Sequence, residues 1–209
     1  MPIRSFSIVL VGENFPVASI RTEHFQFRHR ALRETVRLPV ALQAERDGVS
    51  LQVIPMRFEA AVTVVDNVAI QTTGLVDMTK TFFDYVGRRT ITAVGHNVVW
   101  QLEDDDERAR RELFDALLVR QTVDQVLASV GPVSADLSFR FRRGDESAAI
   151  MLVKMSEPDK LTLQLNFNFD ISDEMSAEAA VERLAQSVGH ATALAADVAA
   201  LVARHEVEA

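Results

Sequence analysis

Apolar and polar positions alternate with period two along much of this chain, most cleanly near its end. Leu161, Leu163, Leu165, Phe167, Phe169 and Ile171 fall in one phase, and Thr162, Gln164, Asn166, Asn168 and Asp170 in the other. One apolar face and one polar face describe a half-buried strand. Residues 136–172 together read as a three-stranded antiparallel meander, with turns at Arg143-Gly144-Asp145 and Glu157-Pro158-Asp159. The spacing then lengthens, and residues 174–206 read as one long, alanine-rich helix.

The same reasoning predicts a strand over 5–12, ending at Gly12, and an alternating stretch His24–Arg28 with Phe25 and Phe27 inward. Leu38, Val40 and Leu42 lead into Arg46-Asp47-Gly48, a turn whose glycine suits a positive φ, and Val49, Leu51 and Val53 return from it. Pro55 has no N–H to donate and breaks the ladder. Phe58–Val65 and Val68–Thr72 are expected to pair as a hairpin around Asp66-Asn67. Gly74 marks a change of period: Leu75, Met78, Phe82, Phe83 and Val86 fit an amphipathic helix closed by Gly87. Thr90–Leu102 returns to strand, with the one tryptophan at Trp100. Residues from Glu103 to Val130 read as helical, stopped by Gly131-Pro132. The fold class expected is α+β: mostly antiparallel sheet with helices packed on one face, ending in the meander and its long helix. It is expected as a single domain over 1–209, built of two pseudo-similar lobes at 1–102 and 103–209.

Within the last helix, Val181, Leu184, Val188, Ala191, Ala195, Val198 and Val202 repeat at alternating intervals of three and four. That is a heptad seam. Two partners suit it: a paired helix from a second copy, or the apolar face of the chain's own meander.

Composition narrows the chemistry. The absence of cysteine excludes disulfides, thiolate nucleophiles and thiolate-held metals. Eight dispersed glycines supply no phosphate-binding loop, and no nucleophile elbow is present. The N-terminus lacks a signal-like apolar region, and no run approaches the length of a membrane span, so a soluble, cytoplasmic protein is expected with no membrane partner. The net charge of −8 is uneven: residues 173–209 carry −5 and residues 17–46 carry +3.

Arg21, Arg28, Arg30, Arg33 and Arg37 make the basic segment. Single-stranded nucleic acid binds such residues when aromatics interleave. Here alternation sends Phe25 and Phe27 to the opposite face from Arg28 and Arg30. A solvated strand face, or one paired with the acidic C-terminal third, is the better reading, which argues against nucleic acid. The run Glu103–Glu107 reads as a helix N-terminus complementing the dipole, and not as a cation loop. No metal and no cofactor is expected.

The polar site singled out is His96 with Asn97, where Gly95 inside a strand pattern suggests a bulge or a close backbone approach. Trp100 and Arg140 join them as ligand-binding candidates, in a cavity between sheet and helix that Phe82 and Phe139 would line. No catalytic set emerges.

Phe167-Asn168-Phe169-Asp170-Ile171 followed by the helical 174–206, with Val94-Gly95-His96-Asn97 as a second point, resembles a sporadically distributed family of uncharacterised bacterial proteins. Its members end in an acid-bearing strand and a long helix. The resemblance implies architecture, with no activity or ligand attached. The function expected is therefore a non-enzymatic bacterial interaction or assembly protein, homodimeric, using the C-terminal helix or a sheet edge. A ligand-binding protein or an enzyme is the alternative, and a nucleic-acid binder through residues 21–37 the third.

Overall fold

The computed structural model describes residues 3–86, 91–102, 135–143, 147–156, 160–172 and 175–208. The expected helices over 103–130 and the stop at Gly87 lie outside them. The strands are β1 (Ile3–Gly12), β2 (Gln26–Phe27), β3 (Arg30–Ala31), β4 (Arg33–Leu38), β5 (Ala41–Arg46), β6 (Val49–Ile54), β7 (Arg57–Val62), β8 (Ile91–Leu102), β9 (Ala135–Arg143), β10 (Ser147–Ser156) and β11 (Lys160–Asp170). The helices are α1 (Val68–Val86), α2 (Ala177–Glu182) and α3 (Leu184–Glu208).

Nine strands form one sheet in the order β4-β5-β6-β7-β1-β8-β11-β10-β9, and β2 and β3 pair as a small hairpin apart from it. Every pair in the large sheet is antiparallel. The chain is thus α+β and antiparallel. β8 and β11 pair from Leu102 opposite Leu161 to Ala93 opposite Asp170, so strands from the two halves share one sheet.

The register sorts the sheet into two faces. One cross-strand row runs Val53, Phe58, Leu10, Val94, Phe169, and the next runs Leu51, Ala60, Ile8, His96, Phe167. All of these are buried. The three helices lie on this face: α1 over β7 and β1, α2 over β8, α3 over β8, β1 and β11. Phe82 of α1 stacks on Phe58 at 4.2 Å and meets Phe15 edge-on at 5.0 Å. The opposite face carries the other phase, including Gln52, Glu59, Ser7, Asn97 and Asn166.

The hairpin expected around Asp66-Asn67 is not formed, because Val68 opens α1. Asn67 Oδ1 accepts from the Ile70 N–H at 3.0 Å, and Gln71 Oε1 accepts from the N–H groups of Asp66 and Asn67 at 3.2 Å each. Four backbone donors without helical partners are the liability of any helix start, and two of them here, at Asn67 and Ile70, are met by side chains. Gly74 therefore lies inside a 19-residue helix. A Cβ there would sit 2.8 Å from two ring carbons of Phe27, so the bare backbone lets the β2–β3 hairpin lie against α1.

His24–Arg28 departs from an alternating strand in a similar way. Thr22–His24 is a 3-10 turn, and only Gln26 and Phe27 pair, although Phe25 and Phe27 are buried as expected. Arg28 and His29 both take positive φ, 50° and 62°, in the two-residue turn that joins β2 to β3. Asp47 and Gly48, at 51° and 75°, make the equivalent turn between β5 and β6. Positive φ at both central residues matches the strand twist of a tight hairpin.

Candidate functional site

His96 occupies the apolar phase of β8 between Val94 and Val98 and is 0% exposed. Its Nδ1 lies 2.9 Å from Ser187 Oγ on α3, and its ring sits 5.0 Å from that of Phe169. Burial pushes its pKa down from 6.5 to about 3, so the imidazole is neutral at physiological pH. A serine beside a neutral histidine has the composition of a nucleophile–base pair. Ser187 is only 4% exposed, however, and neither described surface concavity includes either residue. The pair is a buried polar tie between sheet and helix.

Asn97 lies on the other face, since successive strand residues point to opposite sides. Its Nδ2 donates to Ser7 Oγ at 3.1 Å, and its Oδ1 accepts from Asn166 Nδ2 at 2.6 Å. Ser7, Asn97 and Asn166 are register partners across β1, β8 and β11, so the bonds form a ladder across the sheet. Gly95 stands in unbroken register opposite Val9 and Asn168, so the bulge that its place in the sequence suggested is absent there.

Trp100 shares the helix-bearing face with His96 and is fully buried; among the described residues its Nε1 has no hydrogen-bond partner. Arg140 is exposed on β9, in the row of Asn166 and Asn97 with Ile150 between. Three strand spacings of ~4.8 Å separate Arg140 from Asn97. The structure thus divides the four ligand candidates: His96 and Trp100 in the core, Asn97 and Arg140 in the opposite strand phase. Phe82 is packed among aromatics in the core; the side chain of Phe139 lies outside the described ones.

Sequence reasoning missed Ser187, Ser7 and Asn166. Ser187 was legible in principle, being a polar residue on a stripe with Leu184, Val188 and Ala191, as His96 is in its strand. Two polar residues displaced into apolar phases need each other when their elements pack.

In the seam, Val181, Leu184, Val188, Ala191 and Ala195 are all buried in the chain's own core. Val198 and Val202 lie in α3 beyond the described side chains. The seam is therefore occupied within the chain along its described length.

The basic segment is largely neutralised by local acids. Arg28 makes a bidentate pair with Asp66 at 2.7 and 2.9 Å and lies 5.1 Å from the centre of the Phe27 ring. Arg37 pairs with Glu34 and donates to the Ile20 carbonyl at 2.9 Å, and its guanidinium holds the Glu34 carboxyl below the usual range. Arg30 approaches Asp47 at 3.9 Å. Arg21 lends its backbone N–H to Tyr85 Oη, which also bonds His24 Nδ1 at 2.5 Å, while Arg33 is exposed. Among the described residues these acids, Asp66, Asp47 and Glu34, all belong to the first 70 residues.

Two open concavities lie on the described surface. One, of about 660 Å³, separates the β2–β3 turn from α1 and is lined by His24, Arg28, His29, Thr73 and Asp77. The other, of about 1280 Å³, has Arg30, Arg33 and Arg46 facing Glu34, Glu45 and Asp47, a balanced set of charges. Among the described residues, no group of three His, Asp or Glu is arranged to hold a metal ion, and no helix is long and apolar enough to cross a membrane. No protein-family model matches this chain, and no curated protein matches it.

Proposed function

We propose that this is a non-enzymatic interaction or assembly protein that associates with a second copy of itself through a sheet edge. The observation that carries this reading is the open sheet: nine strands end in β4 and β9, each paired on one side only among the described residues. Unpaired strand edges are templates for another chain unless they are defended. The seam from Val181 to Ala195, the other route to association, is already buried within the chain. The polar pair with catalytic composition is buried, and Arg28, Arg30 and Arg37 of the basic segment each face a nearby acid.

In this reading the assembly unit is the C-terminal meander of β9, β10 and β11 with its long helix, the feature shared with the bacterial family that the chain resembles. The site of action is the cytoplasm. Sedimentation at micromolar concentration tests the proposal: a dimer is expected, and a monomer overturns it.

A further inference from the structure

Resting on that self-association reading, we propose that the contact is β9 against β9 of a second copy, antiparallel and two-fold about Phe139. The sheets of two chains then run on into one.

Among the described residues, the two edges differ in regularity. β4 is six residues long, and its register shifts between Glu34 and Val36. Arg37 on it is tied inward to the Ile20 carbonyl. Bulges are one means by which natural sheets protect their edges. β9 has nine residues and keeps unbroken register with β10, from Arg143 opposite Ser147 to Ala135 opposite Met155.

The sequence of β9, Ala-Asp-Leu-Ser-Phe-Arg-Phe-Arg-Arg, is self-complementary when reversed about its centre. A two-fold axis beside Phe139 sets Leu137 opposite Phe141 of the other copy, and Ser138 opposite Arg140. It also sets Asp136 opposite Arg142, twice per interface. Opposite charges and apolar pairs at facing positions favour antiparallel pairing. The faces agree as well. Phe139 shares a row with Met151, Leu165 and Val98 on the helix-bearing face, and Arg140 shares one with Ile150, Asn166 and Asn97 on the other. Directly opposed residues of an antiparallel pair point to the same side, so the apolar phase of one copy continues into that of the next. Such an isologous contact closes at two copies.

The absence of cysteine makes the register directly measurable. Residues opposed in an antiparallel pair have Cα atoms about 4.5–5.5 Å apart, within reach of a disulfide. Phe139→Cys therefore introduces a single thiol that should give a covalent dimer under mild oxidation, while Thr35→Cys on the β4 edge should not. Asp136→Arg should weaken the dimer about tenfold or more in sedimentation. Adding Arg142→Asp to it should restore the dimer, with circular dichroism confirming the fold of each variant.

Cross-linking at 139 with rescue by the double reversal is the expected result. A wild-type dimer indifferent to charge reversal overturns the β9 contact while leaving self-association standing. A wild-type monomer overturns both. Where Phe139→Cys fails to fold or disagrees with the reversal pair, the reversal pair decides.

Discussion

His96 shows how much one buried group can control. In the folded chain its only described hydrogen bond is to Ser187, and burial holds its pKa at about 3 against 6.5 for a solvated imidazole. Above pH 6.5 the ring is neutral in both states and contributes no pH dependence. As pH falls, the unfolded chain takes up a proton that the folded chain refuses until about pH 3, so stability is lost across that window. The slope is about 1.4 kcal/mol per pH unit for one fully differential proton. His96→Leu should flatten the decline between pH 6.5 and 4 by close to one proton, read from urea midpoints at a series of pH values. An unchanged slope would place the responsible group elsewhere. The sequence carried half of this arrangement: His96 in an apolar phase is visible by counting in twos. Its partner lies 91 residues away, and no local count could have joined them.

At the scale of the element, α1 is instructive because it starts where the sequence predicts a hairpin. Asp66-Asn67 carries turn chemistry, and the same short polar side chains that make turns also cap helices. Val68, Ala69 and Ile70 then read as a strand, since branched apolar residues favour one. Asn67 and Gln71 decide the matter by taking three backbone N–H groups between them. Asn67→Ala should cost about 1 kcal/mol, measurable as a lowered thermal midpoint with the sheet intact. A variant as stable as the parent would mean that Gln71 alone suffices. Gly74 was misjudged for a related reason: a helical glycine looks like a boundary until the Phe27 ring that rests on it is in place. By contrast, the Asp47-Gly48 turn was readable, because positive φ is a local demand that the glycine answers.

For the molecule as a whole, the question is which apolar surface meets which. The helix seam and the sheet face were each legible, but a heptad stripe fits a second helix as well as it fits a sheet. The structure sets Val181, Leu184 and Val188 into the chain's own core. Val188→Asp should therefore cost more than about 3 kcal/mol, since a carboxylate would be buried without a partner. Loss of the cooperative unfolding transition, and not release of a folded monomer, is the expected outcome in circular dichroism and sedimentation. A folded monomer from a dimeric parent would reassign the seam to the contact between copies.

Period, turn chemistry and the absence of cysteine settled, by themselves, that the chain is an antiparallel α+β protein with alternating strand faces and no thiol chemistry. These are local properties, determined by the backbone's repeat of two or 3.6 residues and by what each side chain is. Strand order was decided only in three dimensions: β8 joins β11 across an interval of more than fifty residues, leaving β4 and β9 as edges among the described residues. The same holds for the separation of His96 from Asn97 into different sites, the tie to Ser187, and the pairing of Arg28 with Asp66. A periodicity says which residues share a face, and only packing says what that face meets.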